Sequence, residues 1–250
     1  MNNEIIFKLQ ERLRTHSDPK IKAWWENYVK DSAPFLGIKM ADIRTEVRRW
    51  HKEFVSDTIA INQQPETALM LIRESYTEEK LAGILFLQEI LLPAGAVNCK
   101  FHLQKFAELF SGNYIYDWNV CDWFCIKVLG PLIESRGASC ADAVSQWRTA
   151  ENLWQARASV VPFVYLVQTK SYFSEIKKSC GVLIKRDERF AKTAAGWILR
   201  EISKTDPGFI ANLFEDNLKY FSAESLRNAV KYFSKDEKKK YIKILKDLNT

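Results

Sequence analysis

A tryptophan and a carboxylate in one short segment are the residues of this sequence best suited to chemistry. Trp118 and Asp122 lie four residues apart in the run YDWNVCDW, and side chains four apart on a helix share one face. An aromatic face beside a carboxylate can hold a cation, because the ring offers its quadrupole and the carboxylate its charge. The spacing alone favours a structural alternative, in which Asp122 caps or solvates a helix and Trp118 belongs to the core.

Three other side chains stand in unusual surroundings. Arg157 lies among small and apolar residues in LWQARASVV, so it either extends to the surface or binds an anion such as a phosphate or Asp122. Trp197 follows the small residues TAAG, which permit close helix packing. Both Trp197 and Tyr28, which is predicted to lie on an early helix, could be core residues or stand on an exposed face.

Several classes of enzyme have no support in the sequence. It has no Gly-rich phosphate loop, no GxSxG elbow, no HExxH and no CxxC pair. The five cysteines are odd in number and scattered, which argues against a disulfide framework. Cys121 and Cys125 share a helix face, but no histidine is in register with them, which favours buried thiols over a metal site. We therefore expect neither a metal nor another cofactor.

The elements that must position these side chains are predicted to be helices throughout. Only nine glycines and seven prolines interrupt the chain, and apolar residues recur at spacings of three and four. About fourteen helices are predicted, near residues 3–16, from 19, 41–55, 65–74, 77–92, 99–110, 116–134, 141–148, 152–169, 172–185, 189–205, 207–220, 223–233 and 235–248. Short turns between such helices indicate a stack of helical hairpins, about six at roughly 40 residues each. A helical bundle is the alternative. The absence of a Gly-, Ser- or Pro-rich linker predicts a single domain over residues 1–250.

The charge of the chain is moderately basic. It carries 37 Lys and Arg against 31 Asp and Glu, a net charge of +6, which fits an anionic partner without deciding for one. The densest basic run, residues 235–246, is better explained as a solvated last helix than as a nucleic-acid arm. No apolar run reaches the ~18 residues of a membrane span, and the N-terminal residues do not resemble a secretion signal. We expect an intracellular, cytoplasmic protein with no membrane contact.

Four segments together resemble one family. In order and approximate separation, they are similar to the bacterial AlkD-type DNA alkylation-repair glycosylases: PFLGIK at 34–39, Trp118 with Asp122, WQARA at 154–158 and GWILRE at 196–201. The resemblance runs from about residue 4 to about residue 234. It implies an all-α, right-handed solenoid of HEAT-like repeats, without a cofactor, that grips duplex DNA on a curved concave surface and releases N3- or N7-alkylated purines.

The resemblance also implies roles for individual residues. Asp122 would be the catalytic carboxylate, Trp118 and Trp197 would flank the lesioned deoxyribose, and Tyr28 would complete the aromatic lining. Arg157 would help to hold both the DNA backbone and the geometry of Asp122. Two further DNA contacts are expected at Lys39 and Arg200. Asp117 and Asn119 flank Trp118 where the best-known members carry a bulky aromatic residue before it and an acid after it.

The residues suit this chemistry on physical grounds. Alkylation at N3 or N7 makes the purine cationic and so a good leaving group, and a single carboxylate can stabilise the oxocarbenium ion that forms on the sugar. Two alternatives remain open. One is a non-catalytic relative that binds damaged or branched DNA, and the other is a helical scaffold for a protein partner. The favoured hypothesis is a monomeric, monofunctional glycosylase acting on double-stranded DNA that contains alkylated purines.

Overall fold

The computed structural model describes residues 2–248, and all regular secondary structure in this range is helical. Fifteen α-helices lie within it: α1 Asn2–Arg14, α2 Pro19–Tyr28, α3 Met40–Trp50, α4 Gln64–Ile72, α5 Thr77–Phe86, α6 Cys99–Ser111, α7 Trp118–Phe124, α8 Gly130–Arg136, α9 Ala138–Ser145, α10 Leu153–Arg157, α11 Phe173–Leu183, α12 Arg189–Ile202, α13 Pro207–Asn217, α14 Ala223–Ala229 and α15 Lys235–Leu248. Three are continued by π-helical turns, at His51–Val55, Leu87–Leu91 and Cys125–Leu129. Short 3-10 segments occupy Gln146–Thr149, Val161–Thr169 and Leu218–Tyr220. The all-helical class predicted from the sequence is confirmed. No helix within 2–248 is long and apolar enough to cross a membrane.

Three of the predicted helices were wrong in extent, and the simplest case is the helix expected over 223–233, which ends at Ala229. The helix expected over 152–169 ends at Arg157 and gives way to the 3-10 segment Val161–Thr169. Pro162 lies at the start of that segment and cannot donate the N–H that an α-helix would need. The helix expected over 116–134 begins only at Trp118 and is divided by the turn Cys125–Leu129. Pro131 follows this turn, and a helix that loses an N–H donor in this way is widened or kinked.

The backbone forms two compact units, Met1–Leu132 and Ile133–Thr250, here called unit 1 and unit 2. The single domain and the solenoid of about six hairpins remain predictions. In unit 1, α5 packs against α3 and α4, and the indole Nε1 of the buried Trp50 donates to the carbonyl of Ile5 at 2.7 Å. Cys121 and Cys125 are buried, as expected; Cys140 and Cys180 are buried too, and Cys99 is partly exposed.

Unit 2 is organised around α12, which packs against α10, α11, α14 and the 3-10 segment Val161–Thr169. Close approach to α14 depends on Gly196, because a Cβ there would lie 2.9 Å from the Cα of Ser225. The small residues before Trp197 therefore do permit the tight helix packing that the sequence predicted. This contact fixes the orientation of α12 and of the side chains it carries.

Candidate functional site

The loop 34–39 is held by a buried carboxylate in the first turn of α5. Glu78 accepts hydrogen bonds from the backbone N–H groups of Leu36 at 2.8 Å, Gly37 at 2.8 Å and Ile38 at 3.1 Å. Gly37 has φ +86°, and a Cβ at this position would lie 2.2 Å from the carbonyl oxygen of Asp18. Glycine is therefore required where the loop approaches the start of α2. Lys39, which directly precedes α3, is exposed.

An aromatic cluster on α2 rests on this loop. Asp18 caps α2 and donates its own backbone N–H to the Gly37 carbonyl at 3.0 Å. Trp25 stacks on Phe35 of the loop at 5.6 Å between ring centroids, and Trp24 stacks on Tyr28 at 5.2 Å. The side chain of Tyr28 is 54% exposed, so Tyr28 is a surface residue held by neighbouring rings and not a core residue.

Tyr28 of α2 contacts Trp118, the first residue of α7. The two ring centroids are 5.7 Å apart with an interplanar angle of 69°, an edge-to-face arrangement. Trp118 is only partly buried and packs against the cluster formed by Val29, Ala33 and Phe35. The structure thus brings together two of the predicted site residues, and Trp118 keeps part of its surface accessible.

Asp117, and not Asp122, caps α7. The Oδ1 atom of Asp117 accepts hydrogen bonds from the N–H groups of Asn119 at 2.8 Å and Val120 at 3.1 Å. Asp122 lies one helical turn beyond Trp118 and is partly exposed. The part of the structural alternative in which Asp122 caps this helix is therefore wrong, and the part in which Asp122 solvates the helix stays open. A carboxylate and an indole share one face of α7, as the spacing predicted.

A buried lysine, Lys80, lies close to Tyr116 and Asp117, the two residues that precede α7. Lys80 is 2% exposed, and its Nζ donates to the carbonyl of Ile72 at 3.1 Å and lies 5.5 Å from the Tyr116 ring centroid. Burial lowers the pKa of Lys80 to about 8, against the opposing attraction of Asp117. Burial also raises the pKa of Asp117, although its two backbone hydrogen bonds and Lys80 favour the charged form.

Sequence reasoning missed Glu78, Lys80 and Asp117. A signal was present, because the charged residues Glu78, Glu79 and Lys80 directly precede the apolar run Leu81–Leu87, every residue of which is buried. Charged side chains are almost never fully buried unless they are paired. A charged triplet leading into an apolar helix therefore indicates a buried polar network.

In unit 2, Arg157 is directed at α12. Arg157 is 5% exposed, so it does not extend to the surface, and its Nη1 donates to the Phe190 carbonyl at 2.8 Å and contacts Thr193 Oγ1 at 3.5 Å. Trp197 lies one turn after Thr193 on the same face of α12 and is partly buried. Arg200 pairs with Glu201 at 2.8 Å, so an acid already compensates part of its charge.

The predicted site residues are divided between the units. Unit 1 holds Tyr28, Lys39, Trp118 and Asp122, and unit 2 holds Arg157, Trp197 and Arg200. Within unit 1 the structure brings Tyr28, Trp118 and Asp122 onto α7 and its neighbour α2. Within unit 2 it brings Arg157 and Trp197 to one face of α12. The expectation that all of them form one site remains a prediction.

Comparison with known proteins decides the family. The family model for DNA alkylation repair enzymes matches residues 9–233. The chain belongs to the DNA alkylation repair enzyme family. A solved structure described as a predicted DNA alkylation repair enzyme from Enterococcus faecalis is similar to this member, with a TM-score of 0.72 and 22% sequence identity. The similarity covers 88% of this chain and 98% of that one, and at this identity it shows a shared fold. No curated protein matches this family member.

Proposed function

We propose that this member of the DNA alkylation repair enzyme family is a monofunctional DNA glycosylase that excises cationic N3- and N7-alkylated purines. One observation carries the proposal: the carboxylate of Asp122 lies one turn from Trp118, whose ring meets Tyr28 at 5.7 Å. A carboxylate beside partly exposed aromatic faces is suited to a developing positive charge. The proposal includes the HEAT-like repeat architecture and the monomeric, chromosome-associated state implied by the family resemblance.

The chemistry needs no general acid. The alkylated purine already carries a positive charge, so the electron pair of the glycosidic bond leaves with the base and neutralises it. Positive charge then moves to C1′ and the ring oxygen of the deoxyribose as an oxocarbenium ion. Asp122 stabilises this ion and orients a water molecule, whose oxygen bonds to C1′ and whose proton is released. The products are a free base and an abasic site.

The remaining residues are assigned to holding the DNA. The family resemblance implies that Trp118 and Trp197 flank the deoxyribose, and within unit 1 Tyr28 keeps Trp118 in place. The family resemblance assigns Arg157 to the DNA backbone and to the geometry of Asp122, and within unit 2 its guanidinium is held by Phe190 and Thr193. Lys39 contributes an exposed phosphate contact, whereas the pairing of Arg200 with Glu201 weakens its contribution.

The test is direct measurement of base release from methylated duplex DNA. The wild-type protein is expected to release 7-methylguanine and 3-methyladenine, and the strands are expected to break only after alkali treatment opens the abasic sites. Salt-dependent binding without base release would select the non-catalytic DNA-binding alternative. A complete lack of salt-dependent binding to duplex DNA would select the scaffold alternative.

A further inference from the structure

The net positive charge of the chain is concentrated at its C-terminal end. Residues 231–248 carry seven lysines against three acids, a net charge of +4, whereas the whole chain has +6. Most of this segment lies beyond residue 233, where the match to the family model ends. Residues 234–250 carry +3 of the chain's net charge, and residues 9–233, which the family model matches, carry the other +3. The net positive charge is therefore much denser along α15 than in the part of the chain that the family model matches.

The helix α15 is a packed element of unit 2. Tyr241 meets Phe214 at 4.9 Å and Phe233 at 5.9 Å between ring centroids, and Leu245 is buried. At the start of the helix, Glu237 accepts hydrogen bonds from the hydroxyl and the backbone N–H of Ser234. One face of α15 is thus fixed to the protein, and the helix is not a mobile arm.

The opposite face carries four exposed lysines at spacings of four, four and three residues, here called the lysine stripe: Lys235, Lys239, Lys243 and Lys246. This spacing places them along one side of the helix. The helix dipole does not explain them, because it favours cations only in the last turn and Lys235 begins the helix. Among the acids nearby, Asp236 and Asp247 flank the stripe, while Glu237 and Glu215 lie near Tyr241 on the packed side.

We propose that the lysine stripe of α15 is a second DNA-binding site, which binds the phosphates of duplex DNA without reading its sequence. At ~1.5 Å of rise per residue the stripe is about 16 Å long. Phosphates of one strand follow each other at about 3.4 Å along the duplex axis, so the stripe can follow about five of them. The inference rests on the proposed DNA function and adds a second site, which contributes DNA affinity and takes no part in the chemistry.

A membrane surface fits α15 less well than DNA does. An amphipathic helix that binds lipid inserts an apolar face, and in α15 that face is occupied by contacts with Phe214 and Phe233. On the exposed side, Ile242 is the one large apolar residue within the arc of the stripe, and it is 44% exposed. Such a surface offers charge without an insertable apolar face, which is what a phosphate backbone requires.

The test measures the salt dependence of binding to an undamaged duplex. Each lysine–phosphate contact contributes about 0.9 to the slope of log K against log salt. The Lys239→Gln/Lys243→Gln variant should therefore lower the slope by about 2 relative to the wild type. The matched control is Lys105→Gln/Lys170→Gln, which removes two lysines already paired with Glu66 and Asp206. It should leave the slope close to the wild-type value.

The possible results separate this inference from the proposed function. A lowered slope in the stripe variant, with the single-turnover excision rate at saturating enzyme unchanged, supports the second site. If the protein excises alkylated bases but the stripe variant has the same slope as the wild type, only the DNA-binding role of the lysine stripe is overturned. A wild type that neither excises nor binds duplex DNA overturns both proposals. Lysine-dependent binding to phosphatidylserine-containing vesicles, with DNA binding unaffected, would assign the stripe to a membrane and overturn the DNA site.

Discussion

Tyr28 and Trp118, ninety positions apart in the sequence, meet edge to face with ring centroids 5.7 Å apart. The position of Tyr28 depends on a series of hydrogen bonds that begins in the core of unit 1. Glu78 holds the loop at Gly37, the loop holds Asp18 at the start of α2, and α2 presents Tyr28. The orientation of the indole beside Asp122 is thus determined by a neighbouring helix as well as by α7 itself.

Removing the Tyr28 ring should impair excision without unfolding the protein. Tyr28 is 54% exposed, and an edge-to-face pair contributes about 0.5–1.5 kcal/mol beyond area burial. We expect Tyr28→Ala to lower the single-turnover excision rate about tenfold, the change that ~1.4 kcal/mol in the barrier produces. Tyr28→Phe keeps the ring and should retain most of the activity. Equal rates for Tyr28→Ala and the wild type would show that Trp118 does not need this contact.

Neutralising Glu78 should destabilise unit 1. Its carboxylate accepts three backbone N–H groups from the loop, and glutamine offers a single oxygen acceptor together with an N–H donor. We expect Glu78→Gln to lower the free energy of unfolding by about 2–3 kcal/mol, since a buried donor is left without a partner. Urea denaturation measures this change. Glu11→Gln, at an exposed position of α1, is the matched control and should change stability little. Similar midpoints for the two variants would contradict the assigned role of Glu78.

The helices and the shared helix face of Trp118 and Asp122 could be predicted from the sequence, because both depend on local spacing. The four-residue separation of Trp118 and Asp122 places them on one face whatever the tertiary structure. Glu78 and Lys80 were missed because their partners come from distant segments: the loop at 36–38 for Glu78 and the Ile72 carbonyl and Asp117 for Lys80. The 3-10 segment after Arg157 was missed because apolar spacing does not distinguish a 3-10 helix from an α-helix, although Pro162 marked the change.

The buried Lys80 predicts a specific dependence of stability on pH. Its pKa is about 8 in the folded protein and 10.5 ordinarily, so between these values the unfolded state binds more protons. Stability therefore rises as the pH increases from about 8 toward 10.5, by at most on the order of 3 kcal/mol. We expect this rise to be absent in Lys80→Met.

Urea denaturation at pH 7.5 and 9.5 measures the effect as the difference between the wild type and Lys80→Met. Other groups that titrate in this range are the same in both proteins and cancel in the comparison. Lys52→Met, at an exposed position, should keep the wild-type pH dependence. If Lys80→Met shows the same rise as the wild type, Lys80 is not the group responsible.

The most direct test of the proposed chemistry is single-turnover release of 7-methylguanine from methylated duplex DNA by Asp122→Asn at saturating enzyme. The substitution keeps the shape of the side chain and removes the charge that stabilises the oxocarbenium ion. Loss of such electrostatic stabilisation should lower the rate about a hundredfold or more, while DNA affinity is largely retained. Asp216→Asn, at an exposed position of α13, should match the wild type. A rate for Asp122→Asn equal to that of the wild type would contradict the catalytic role of Asp122.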